Sequence, residues 1–179
     1  DSGRSPFTPT DAPMIKASWR PPLLVLLAGT MISAVAIGMR NTFGLYLRPM
    51  TETYGWGREV FALAIALQNL TWGLSAPFTG AFADRYGTGR VIAAGGLVYA
   101  AGLYLMAHST TPAALMLSTG VLIGLGTSAT GFGVLLGAVG RVTNERNRSL
   151  YLGIASAGGS MGQFVLVPLS QGLISGLGW

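Results

Sequence analysis

GAFADRYGTGR, residues 80–90, sets one Asp, two Arg and three Gly between two long stretches that carry no charge. Residues 60–83 before its ionic centre and 91–140 after it hold no Asp, Glu, Lys or Arg, and the same is true of 21–39 and 149–179. A helix needs about 20 mostly apolar residues to cross the hydrocarbon core of a bilayer. Three of the intervals fit one crossing each. The interval 91–140 is too long for one and divides at HSTTP (108–112), where polar residues precede a proline that can open a helix at its first turn. The expected spans are therefore 21–39, 60–80, 91–107, 112–139 and 149–176, in an all-α polytopic membrane protein. The runs lack the alternation of a transmembrane barrel, whose strands repeat in segments of about ten residues.

Composition points the same way. Of 179 residues, 50% are hydrophobic and only 9% charged, against roughly a quarter charged in a soluble domain. Such a chain has too few charges to cover a water-facing surface. The absence of cysteine removes disulfides, a thiol nucleophile and thiolate metal sites. His108 is the only histidine and has no clustered carboxylates or thiols beside it, so neither a metal nor a cofactor is expected. The net charge of +5 is spread singly and in small groups between apolar runs, without the basic face of a nucleic-acid binder. An enzyme is not expected either. Asp84 and Glu145 lack a paired acid–base partner, no Ser/His/Asp set can be assembled, and TGFG and GIASAGG lack the strand-then-helix context of a phosphate loop.

Lys and Arg set the expected orientation. With the N-terminus inside, Arg4, Lys16, Arg20, Arg85, Arg90, Arg141, Arg146 and Arg148 lie on the inner side, while Arg40, Arg48 and Arg58 lie outside. An excess of basic residues marks the cytoplasmic face, so the N-terminus and the 80–90 and 141–148 connectors are expected there. Residues 1–20, rich in Ser, Thr and Pro, read as a disordered cytoplasmic tail and 21–179 as a transmembrane bundle. An odd number of spans suggests a fragment of something longer. The 27 glycines, as in GLGTSATGFGVLLG (124–137) and GIASAGGSMG (153–162), suit helices that approach closely in lipid.

The 80–90 turn resembles the signature between helices two and three of the major facilitator superfamily, Gly-x-x-x-Asp-Arg-x-Gly followed by basic residues. Gly80, Asp84, Arg85, Gly87 and Arg90 match, and Gly89 stands where a second basic residue is usual. The flanking RNTFGLYLRPMTETYGW (40–56), ALQNLTWGLSAPFTGAFADRYG (66–87) and SLYLGIASAGGSMGQFVLVPLSQGLI (149–174) are similar to the bacterial monocarboxylate transporter and oxalate/formate antiporter branch. The resemblance implies a twelve-helix fold of two six-helix halves, of which helices 1 to 5 are present and the C-terminal half is absent. It further implies alternating access in a bacterial cytoplasmic membrane, a small organic anion as substrate, a proton or counter-anion as coupling ion, and the 80–90 cluster as a conformational latch. Many members carry an Arg four residues before a Gly-x-Gly of helix four. Here that Gly-x-Gly is Gly124-Leu125-Gly126 and the position holds Gly120, which turns the expectation from drug efflux towards organic anions.

Candidate pathway residues follow. Arg40, at the expected end of span one, can pair with a carboxylate through its planar guanidinium or snorkel to the interface, and Asn41 is the alternative for the same aligned position. Gln68, Asn69 and Gln163 either face the pathway or bond a neighbouring helix. Thr127, Ser128, Thr130, Ser156 and Ser160 either face it or return their hydroxyls to their own helix. Glu145 either supports topology with its basic neighbours or bridges to Arg85 or Arg90. Besides carboxylate transport, drug or metabolite efflux by the same fold and a non-transporting membrane sensor or scaffold are the competing expectations.

Overall fold

The computed structural model describes residues 22–142 and 145–178. The expected tail, 1–20, lies outside the described residues. Helix α1 runs Pro22–Tyr54, α2 Arg58–Tyr86 and α3 Thr88–Ala107. The fourth segment is a series of α4 (Pro112–Leu115), a π-helical turn (Met116–Leu122), α5 (Ile123–Thr130) and α6 (Phe132–Val142), and the chain closes on α7, Glu145–Leu177. Among the described residues, five stretches are long and apolar enough to cross a membrane.

The helix ends are legible in local chemistry. Gly55 adopts φ 65° and Gly87 φ 92°, a region that side chains avoid and glycine enters freely. The polar HSTTP stretch separates α3 from α4, and the Thr111 hydroxyl accepts the Ala114 N–H at 3.2 Å while Pro112 occupies the first turn, as that sequence predicts.

Three expectations need correction. Helix α1 does not stop at residue 39 but continues through Pro49 to Tyr54, and the exposed Arg48–Glu52 pair, 2.8 Å apart at i,i+4, supports its last turns. The 80–90 turn is narrower than the expected span ends allow, because α2 continues through Tyr86 and α3 starts at Thr88, leaving Gly87 alone between them. The segment 112–139 is not one uninterrupted helix, for it holds the π-helical turn and breaks again at Gly131, where the backbone is extended.

Glycine decides which helices touch. A Cβ on Gly38 would lie 2.7 Å from the Gly162 carbonyl oxygen, so α1 and α7 pack backbone to backbone along their length. The Gly124-Leu125-Gly126 pair faces two ways. A Cβ at Gly124 would meet Thr71 of α2 at 2.8 Å, and one at Gly126 would meet Tyr99 of α3 at 2.8 Å, which seats α5 between those helices.

Apolar residues cover the outside: Leu97 is 73% exposed and Phe164 78%. Ser33, Gln68, Ser118 and Thr119 are buried instead, around an aliphatic and aromatic core that includes Phe43, Met50, Phe61, Leu115 and Ile123. In water this distribution would be costly, and in lipid it is the stable one.

Candidate functional site

With α1 extended to Tyr54, Arg40 moves from the expected helix end to its interior, about 27 Å from the first residue and about 21 Å from the last at 1.5 Å per residue. An ionisable side chain on a helix of membrane-crossing length is stable when it finds partners on a neighbouring helix. Those of Arg40 come from α2 and are neutral. Its Nη2 donates to Asn69 Oδ1 at 2.5 Å, and its guanidinium carbon sits 4.5 Å from the centroid of a Trp72 ring. Asn69 is itself fixed: its Nδ2 donates to the Ile65 carbonyl one turn back at 2.9 Å, which leaves Oδ1 to receive the guanidinium. Three-residue spacing places Asn69 and Trp72 on one face of α2.

The guanidinium opens on a cavity of about 550 Å³. Of the sequence candidates, Arg40, Asn41, Gln68, Thr127, Thr130 and Gln163 line it. Gln68 and Ser33 are 3% and 1% exposed, and neither the Gln68 Nε2 nor the Ser33 Oγ meets a hydrogen-bond partner among the described residues. Buried donors without acceptors are uncommon and costly. Thr127 and Thr130 donate to the Ile123 and Gly126 carbonyls one turn back, so their protons are already used and their lone pairs face outward. Asn41 likewise donates from Nδ2 to Ile37 O at 2.8 Å.

Other candidates fall elsewhere. Ser128 lines a second cavity of about 440 Å³ together with Gly80 and Asp84, and its hydroxyl lies 2.8 Å from that of Thr79. Ser156 and Ser160 are exposed on α7 and line neither cavity. Within the 80–90 cluster, Asp84 and Thr88 each have an interaction partner, and the Arg85 guanidinium lies 5.5 Å from the Tyr86 ring centroid. Gly89 and Arg90 lie on the first turn of α3. The Glu145 side chain, and with it the expected bridge to Arg85 or Arg90, lies outside the described residues. Among the described residues no group of His, Asp or Glu could hold a metal.

Ser33 and Trp72 escaped the sequence reading, although both carry a signal. Ser33 is seven residues before Arg40 on α1, two helical turns along the same face, and Trp72 is a tryptophan in the middle of a charge-free run rather than at its edge.

A family model described as the Major Facilitator Superfamily matches residues 18–179. The chain belongs to the major facilitator superfamily. Its relatives in that superfamily include rat monocarboxylate transporter 13, 28% identical over 163 residues, and mouse monocarboxylate transporter 3, 30% identical over 156. Each match covers 87% of this chain but only 36% and 31% of the relative, so the chain spans about a third of their length. A bacterial member, the uncharacterized MFS-type transporter YhjX of Escherichia coli (strain K12), is 34% identical over 110 residues, covering 62% of this chain and 27% of its own. The absence of an Arg at the helix-four position of this superfamily chain has a steric counterpart. Gly120 is buried in the π-helical turn, and a Cβ there would sit 2.7 Å from Leu67 Cδ2.

Proposed function

We propose that this chain forms part of the N-terminal half of a secondary active transporter that carries a small organic anion, such as lactate, pyruvate, formate or oxalate, by alternating access. The observation that supports it best is that Arg40, Gln68 and Ser33 line one cavity between helices of membrane-crossing length, the last two with buried donors, Nε2 and Oγ, that meet no partner among the described residues. A carboxylate supplies the negative charge that Arg40 lacks, and its lone pairs suit the two donors once helix movement uncovers them, since both are closed to the cavity in this state.

The same pairing gives a reason for movement. Closing a low-dielectric bundle over a lone guanidinium is costly, and closing it over a guanidinium–carboxylate pair is less so. Anion loading therefore lowers the barrier to occlusion. A proton or a counter-anion would resupply the charge on the return step, the C-terminal half would complete the site, and Asp84, Arg85 and Arg90 would latch one of the two states. In this reading the protein sits in a bacterial cytoplasmic membrane with its N-terminus and the Asp84 end in the cytoplasm.

The test uses the full reading frame in proteoliposomes with labelled lactate, pyruvate, formate and oxalate. Saturable uptake that disappears in Arg40→Gln is the expected result. Movement of only a lipophilic drug or a sugar would sink the reading in favour of efflux of another substrate class, and a folded protein that moves nothing would point to a sensor or scaffold.

A further inference from the structure

Trp72 and Gly131 are the two residues common to the cavity at Arg40 and the cavity at Asp84. Gly131 is where the fourth segment breaks, between α5 and α6, and its position is held free of a side chain by the Thr127 carbonyl oxygen, 2.6 Å from where a Cβ would stand. The Trp72 indole nitrogen lies 3.4 Å from that same point. One Trp72 ring also lies beneath the Arg40 guanidinium at 4.5 Å. The indole is thus a wall with a cavity on either side, one contact on a cation and another on a helix break.

We propose that the Trp72 indole is the movable partition between the two cavities, held shut by the Arg40 guanidinium and released when a carboxylate neutralises that charge. This rests on the reading of Arg40 as an anion site. A guanidinium is attracted to the negative face of an indole, and a carboxylate that pairs with it bidentately withdraws both its charge and its donors. The ring then loses what holds it. The break at Gly131 gives the ring a neighbour without a side chain, on backbone that is extended rather than helical. The partition answers the charge of the ligand and not its shape.

The test uses the full-length protein in nanodiscs and vesicles. Because this chain has no cysteine of its own, Gly44→Cys, in the lining of the Arg40 cavity, reports access by a membrane-impermeant thiol reagent added from the Asp84 side. Any cysteines elsewhere in the full-length protein are first replaced. Without anion, Trp72→Ala should raise its labelling about thirtyfold, the scale of one desolvated cation–π contact, and Trp72→Phe should stay near the parent. Separately, the fluorine resonance of 5-fluorotryptophan at position 72, assigned by its loss in Trp72→Phe, should shift on adding pyruvate in the parent and stay fixed in Arg40→Gln. Equal labelling in the parent and Trp72→Ala overturns the partition. A resonance unmoved by pyruvate at concentrations that saturate uptake overturns the trigger and with it the proposal. Absence of pyruvate uptake in the parent counts against the anion reading, and the labelling comparison still decides the partition.

Discussion

Arg40 of α1 and Asn69 of α2 meet at 2.5 Å, a bridge between two helices that touch each other little elsewhere. The amide does not neutralise the guanidinium, but it aims it. Asn69→Ala should leave the charge in place and free the fork to rotate, raising KM for a carboxylate by about tenfold or more, the equivalent of about 1.5–3 kcal/mol for a hydrogen bond to a charged group. Arg40→Lys should lose more, because an ammonium cannot reproduce the planar fork. Initial uptake rates over a concentration series check both. An Asn69→Ala transporter with unchanged KM would mean that the bond does not orient Arg40 for substrate.

Gln68 carries the opposite trade. Its Nε2 is buried without a partner among the described residues, a state that costs about 1–3 kcal/mol. Gln68→Leu keeps most of the volume and removes the donor. The variant should unfold at a higher temperature in detergent than the parent when no anion is present, and should bind the anion more weakly. If its stability falls instead, the amide is satisfied in the complete protein and is no substrate donor.

Adjacent glycines on α3 separate packing from propensity. A Cβ on Gly95 would run into the side chain of Ala129 on α5, whereas one on Gly96 meets nothing within 4 Å. Gly95→Ala should therefore destabilise by about 1–3 kcal/mol through overpacking. Gly96→Ala should be neutral or stabilising by up to about 1 kcal/mol, since alanine costs less to order in a helix. Thermal unfolding of the two variants in the same detergent is the comparison. Equal effects would show that α3 does not pack on α5 as closely as the structure has it.

The helices and the family signature were legible because lipid imposes a coarse rule that charge-free intervals reveal directly. The same rule misplaced Arg40. Counting charge-free residues treats any Arg as the end of a span, but a helix ends where its backbone does, and the α1 backbone turns only at Gly55. Gln68, Asn69 and Thr127 were legible as polar residues in apolar runs. Ser156 and Ser160 looked the same in sequence and lie on an exposed face of α7, because a short hydroxyl says nothing of the side of the helix it occupies. Trp72 was not legible as part of the site. A tryptophan in a membrane helix is ordinarily an interfacial anchor, and only the position of Arg40 across from it gives it another role.

Asp84 and Gly87 provide the last test, which separates a transporter from a scaffold. Gly87 at φ 92°, ψ 134° is the one residue between α2 and α3, so the angle between those helices rests on a conformation that an alanine reaches at a cost of about 1–3 kcal/mol. Gly87→Ala should lower stability and turnover together. Asp84→Asn keeps the size of a residue near the end of α2 and changes its charge, so it should leave the thermal transition close to the parent's while anion exchange slows by at least about tenfold, the equivalent of a single interaction of about 1.4 kcal/mol lost from one of the two conformations. Substrate binding measured at equilibrium should change less than exchange, because Asp84 lies in the second cavity and not beside Arg40. An Asp84→Asn protein that is stable and exchanges at the parental rate would remove the latch from the mechanism, and a parent that never exchanges would make the scaffold the better reading.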